Sequence, residues 1–123
     1  MMNFRRHDNF NKELAVLEKR RLRHIEESLR GFQNLCEVHF SPTNPQGRIA
    51  PGKLHCVSRN DSWAIWKTEL PVIKSGLRPN QYPRIWFVVS GGIIAFLCVA
   101  SHIDNYKDND MDKLAISRAS DIF

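Results

Sequence analysis

A chain of 123 residues, 42% hydrophobic and 25% charged, has ordinary globular composition and is expected to form a single domain, 1–123, around one core. Its net charge of +5 points mildly toward a polyanionic partner, although charge alone equally describes a soluble protein that happens to be basic. The longest uncharged run, 85–100, falls short of the roughly 20 apolar residues of a membrane helix and is broken by Gly91-Gly92, which excludes a span there.

The first eleven residues are polar and lack the apolar segment of a secretory signal, so a soluble cytoplasmic protein with no membrane partner is expected. Helical spacing then takes over. Phe10, Leu14 and Leu17 recur at i, i+4 and i+7, with Asp8 or Asn9 as candidate N-cap. Leu22, Ile25, Leu29 and Phe32 continue at helical spacing but offset by one position, across the basic run Lys19-Arg20-Arg21. That offset predicts a helical hairpin or a bend, with Gly31 as a nearby terminator. The polar faces mix Glu13, Glu18, Glu26 and Glu27 with Lys12, Lys19, Arg20, Arg21, Arg23 and Arg30, the pattern of a solvated amphipathic surface. A role for 19–23 in holding nucleic acid stays open.

Residues 41–53 are rich in Pro, Gly, Asn and Ser and read as a loop. Strands are expected at 54–57 and 63–70, with Arg59-Asn60-Asp61 as their turn. In the second of these, Trp63, Ile65, Lys67 and Glu69 share one face and Ala64, Trp66 and Thr68 the other. Another loop, 71–83, carries Lys74 and Arg78. An apolar hairpin follows, Ile85–Val89 and Ile93–Ala100, turned at Ser90-Gly91-Gly92. The chain then turns acidic through Asp104, Asp108, Asp110 and Asp112. It closes with a short helix whose candidate apolar positions are Met111, Leu114, Ala115 and Ile122. Helices first and an antiparallel-rich sheet second make an α+β architecture.

No P-loop, dinucleotide-binding glycine pattern, zinc spacing or nucleophile elbow is present, and no cofactor or metal is expected. Cys36, Cys56 and Cys98 show no redox spacing and read as small core residues. His7, His24, His39 and His55 read as surface or packing residues. At least two of Trp63, Trp66 and Trp86 are expected in the core; an exposed one would stack on a base. The sharper constellation is Arg84 at the hairpin entry with His102 and Tyr106 at its exit. Entry and exit are neighbours in an antiparallel pair, so a guanidinium, an imidazole and a phenol are expected together at a phosphate-directed site. The plainer alternative pairs Arg84 with Glu69, and Lys67 with Glu69 through cross-strand ion pairing.

WKTELPVIKSGLRPNQYPRIWFVV followed by IIAFLCVASHIDNY resembles the basic strand, glycine-containing loop, arginine-led strand and core strand of the RelE/ParE superfamily. These are small bacterial toxins of type II toxin–antitoxin pairs. The likeness is carried by 63–106 and more loosely by 10–32, where the family has a helical hairpin; it does not account for the loop 41–53. It implies a compact, microbial-ribonuclease-like fold and a cognate antitoxin that wraps it. In the favoured mRNA-interferase branch, Arg84 matches the arginine that contacts the scissile phosphate, and Lys67 a basic position on the preceding strand. His102 and Tyr106 match the acid–base residues. Lys74, Arg78, Arg20 and Arg21 are then the candidates for holding RNA, and mRNA in the ribosomal A site the substrate. The other branch of the superfamily inhibits DNA gyrase without catalysis. A basic binding module with neither activity is the third reading.

Overall fold

The computed structural model describes residues 2–20, 22–101 and 106–123, so Arg21 and His102 lie outside the described residues. In chain order the elements are β1 (Asn3–Arg6), α1 (Asp8–Arg20), α2 (Ile25–His39), β2 (His55–Arg59), β3 (Ala64–Glu69), β4 (Arg84–Ser90), β5 (Ile93–Ala100) and α3 (Asp108–Ile122). Single 3₁₀ turns at Pro51–Lys53 and Pro79–Gln81 punctuate the two long loops. The five strands form one mixed sheet in the order β1-β5-β4-β3-β2. The pairs from β2 to β5 are antiparallel, and β1 alone runs parallel, to β5.

Alternation along the strands divides the apolar residues between two faces. One face presents Ile85, Phe87, Ile94, Phe96 and Val99 to α1 and α2, which bury Phe10, Leu14, Leu17, Ile25, Leu29, Phe32 and Cys36 against it. The other presents Ile65, Trp86, Val88, Ala95, Leu97 and Cys98 to Ala115 and Ala119 of α3. The expected helical pair and apolar hairpin are therefore both present. The hairpin closes through Gly91 at φ 57, a left-handed position that favours glycine.

Several details depart from expectation. The tetrapeptide Asn-Phe-Arg-Arg is a strand because β5 supplies its partner, register Asn3↔Ile93 to Arg6↔Phe96. Phe4 stacks on Phe96 at 6.1 Å, and Arg6 forks onto Glu26 at 2.7 and 2.9 Å. Hydrogen bonds from Arg6, set against burial, hold the Glu26 carboxyl below its ordinary pKa. His7, rather than Asp8 or Asn9, caps α1: its Nδ1 accepts the Asn9 N–H at 3.1 Å while Nε2 faces Asp121 at 2.8 Å. Gly31 ends nothing, because α2 continues to His39 on the burial of Phe32 and Cys36. Cys36 and Cys98 are buried, which pushes both thiols up in pKa, but Cys56 is exposed on the edge strand β2. Trp86 is fully buried; Trp63 and Trp66 pack half-buried on opposite faces. The closing helix is as long as α2, and its inner side carries charge as well as alanine.

One of those inner charges solves an edge problem. β5 outruns β1, and the pairing irregularity opposite Trp86 and Phe87 turns both Leu97 and Cys98 toward α3. Arg118 donates to the buried Leu97 carbonyl at 2.7 Å and forks onto Glu13 of α1 at 2.9 and 2.8 Å. Glu13 in turn accepts the Val99 N–H at 3.3 Å. The ion pair thus stands where a sixth strand would, and joins the helices of the two faces.

The loop 41–53 is tied down by His39, whose Nδ1 accepts the N–H groups of Arg48 and Ile49, each at 3.1 Å. Burial lowers the His39 pKa, so the folded state binds this proton less readily than the unfolded chain. Stability from this group is complete above the ordinary histidine value of about 6.5 and is lost as pH falls through the lowered folded value. The melting temperature is expected to fall between pH 7.5 and 5.5, and His39→Gln to flatten that fall. An undiminished fall in the variant would assign the titration to other groups.

Candidate functional site

The site lies on the α3 face, at the end of the sheet where β3 finishes, β4 begins and β5 ends. Antiparallel register sets Arg84 opposite Glu69 on one side and Ala100 on the other, with Lys67 opposite Trp86. Alternation then turns Lys67, Glu69, Arg84 and Trp86 to the same face. Above them lies the first half of α3. Arg84 Nη1 donates to Asp108 Oδ2 at 2.8 Å. Lys67 Nζ sits 3.2 Å from both oxygens of Asp112, and the Trp86 indole N–H donates to Asp112 Oδ1 at 2.8 Å. Tyr106 meets the Trp86 ring edge-on at 5.9 Å.

The structure therefore brings together Arg84, Lys67 and Tyr106. Neither cation takes the partner expected from the strands: Glu69 pairs with Lys53 at 3.6 Å, leaving Arg84 and Lys67 to the carboxylates of α3. Burial raises the Tyr106 pKa, outweighing the opposing pull of the Arg84 charge. The phenol keeps its proton at neutral pH and suits donation rather than proton abstraction. His102, the expected imidazole of this site, is outside the described residues.

Of the residues expected to hold RNA, Arg21 is outside the described residues and the others are placed elsewhere. Lys74, held at φ 56, lines a cavity of about 250 Å³ with Leu22, Arg23 and His24 at the start of α2. Arg78 leads into the 3₁₀ turn at Pro79–Gln81, and Arg20 closes α1. Lys74 and Arg20 belong to the helical side of the sheet, away from the Arg84 face. Also on the helical side are two cavities of about 350 and 390 Å³ that share Phe32, Leu35 and Pro71. Leu35 and Ile73 stand 45% and 42% exposed along them, an apolar groove bordering α2.

Asp108 and Asp112 are the site residues that the sequence reading passed over, taking them for part of an acidic stretch. Their signal was present in the spacing. Asp108, Asp112, Ala115, Ala119 and Ile122 recur at helical period, so the carboxylates share the inward stripe with the alanines rather than the solvent face. Among the described residues no helix is long and apolar enough to cross a membrane. Compared with known proteins, the chain matches no family model, no curated protein and no solved structure.

Proposed function

We propose that this chain is the toxin of a bacterial type II toxin–antitoxin pair, with a RelE-like fold, acting as a metal-independent endoribonuclease on mRNA in the ribosomal A site. The observation that carries the reading is the convergence of Arg84, Lys67 and Tyr106 on one sheet face at the strand end from which the chain leads to His102. A guanidinium and an ammonium side by side neutralise charge that builds on phosphoryl oxygens, and the guanidinium does so through a planar fork that never deprotonates. RNA carries its own nucleophile. The 2′-oxygen attacks the adjacent phosphorus, the bond to the 5′-oxygen breaks, and a 2′,3′-cyclic phosphate forms. His102 takes the 2′-OH proton as base, and Tyr106, protonated at neutral pH, supplies or orients the proton for the 5′-oxygen. The apolar groove along α2 is the seat for an antitoxin helix laid across the surface, its apolar side on Leu35 and Ile73.

A second reading, the non-catalytic gyrase inhibitor, is favoured by one observation: both cations are already ion-paired within the chain. Inducible expression in a bacterial host with 5′-end mapping of cellular mRNA separates the two. New 5′ ends within minutes of induction, clustered inside reading frames, are the expected result. Growth arrest with intact mRNA and damaged DNA would transfer the assignment to gyrase, and harmless expression would remove the toxin reading altogether.

A further inference from the structure

We propose that α3 holds this site shut by carboxylate mimicry: Asp108 and Asp112 occupy Arg84 and Lys67 in place of two RNA backbone phosphates, and RNA binds by displacing them. The inference rests on the ribonuclease reading for its ligand and adds to it a built-in control. Lys67 and Arg84 are diagonal neighbours across β3 and β4, given the register Lys67↔Trp86 and Glu69↔Arg84, so their backbones lie roughly 7–8 Å apart. Asp108 and Asp112 are one helical turn apart on the facing side of α3, which makes them neighbours too. Each cation receives one carboxylate, at 2.8 and 3.2 Å. Carboxylate and phosphate oxygens accept the same charge-assisted hydrogen bonds, so the arrangement is a two-point anion site filled from within.

The two ends of α3 are held differently. Its C-terminal half is anchored by buried Ala115 and Ala119 and by the Arg118–Glu13 pair. At its first turn, the Asp108 side chain is 45% exposed while its Oδ1 is buried without a hydrogen-bond partner among the described residues. Exchange therefore begins at Asp108, where half of the carboxylate is unsatisfied, and leaves the far end of the helix docked. Asp112 is the tighter contact because Trp86 also donates to it.

The test is binding of a fluorescein-labelled 12-nucleotide oligouridylate carrying 2′-O-methyl groups, which blocks in-line cleavage, measured by anisotropy over a salt series. Asp108→Asn/Asp112→Asn keeps an acceptor for the Trp86 N–H and is expected to bind at least about tenfold tighter than wild type. Since RNA contacts the same two cations in both proteins, the gain should appear as affinity at every salt concentration, with the slope of log K against log salt changing by less than about 0.7, the share of one contact on single strands. Should the double variant fold poorly, Asp108→Asn alone is expected to bind at least about threefold tighter, half of the double variant's gain in free energy. The control Asp61→Asn/Asp110→Asn removes the same charge at exposed positions. An equal gain in that control, no gain in affinity, or a gain that survives Arg84→Ala would overturn the proposal. A gain confined to the Asp108/Asp112 variant in a chain that cleaves no RNA would uphold the mimicry while sinking the ribonuclease reading. Cleavage without any gain would do the reverse.

Discussion

Arg118→Ala is expected to lower the free energy of unfolding by about 3 kcal/mol, the lower end of the range for removing one partner of a buried ion pair. Arg118 is 7% exposed, whereas the Glu13 side chain retains 28% exposure, so the orphaned carboxylate recovers part of its hydration. The loss has two further parts. The Leu97 carbonyl loses its donor in an apolar setting, and the side chain's methylenes leave a gap between β5 and α3. Urea unfolding should show the midpoint falling with little change in slope, and thermal unfolding a drop of more than about 10 °C. Arg118→Lys should recover only part of this, because an ammonium cannot fork onto both Glu13 oxygens while reaching Leu97. A loss below about 1 kcal/mol would mean that the edge of β5 is satisfied by water.

Under the ribonuclease reading, Arg84→Ala is expected to reduce kcat/KM for RNA cleavage by about 10²–10³-fold, the effect of deleting one preorganised donor to a developing oxyanion. Its structural cost is small by comparison, because the pair with Asp108 is partly solvated and such pairs contribute at most about 1 kcal/mol. The combination discriminates: activity collapses while the melting temperature moves by a few degrees. Arg84→Lys keeps the charge but loses the planar fork and should fall between the two. Cleavage within a factor of two of wild type in a folded Arg84→Ala protein would remove Arg84 from the chemistry.

Local signals made much of the fold legible. Phe10, Leu14 and Leu17, then Ile25, Leu29 and Phe32, are buried as their spacing required, and the hairpin turns at the expected glycines. What escaped depends on distant partners. Asn3–Arg6 carries a single apolar residue and no strand signal; it is extended because β5 offers it a free edge. Gly31 looks like a helix terminator, yet Ile25, Leu29, Phe32 and Cys36 bind α2 to the sheet on both sides of it, and packing outweighs a local penalty of about 1 kcal/mol. For the site, Arg84 and Tyr106 followed from strand register, and Lys67 from the family resemblance alone. Asp108, Asp112 and Arg118 did not, because charged residues in a terminal helix read as solvent-facing until their period is compared with that of the alanines.

The pairing of Asn3 with Ile93, ninety residues further along the chain, also fixes a timetable. The strands β2 to β5 join through successive short-range hairpins and can zip together as they emerge from synthesis. β1 has nothing to pair with until β5 exists, and α1 has no surface, since the Phe96 ring on which Phe4, Phe10 and Phe32 pack belongs to β5. Residues 2–20 therefore wait as uncommitted nascent chain until β5 has been made. They close over a long loop, at an entropic cost that grows only slowly with its length. The helical-side core is completed once β5 has emerged, whereas the opposite core waits for Ala115 and Ala119 of α3.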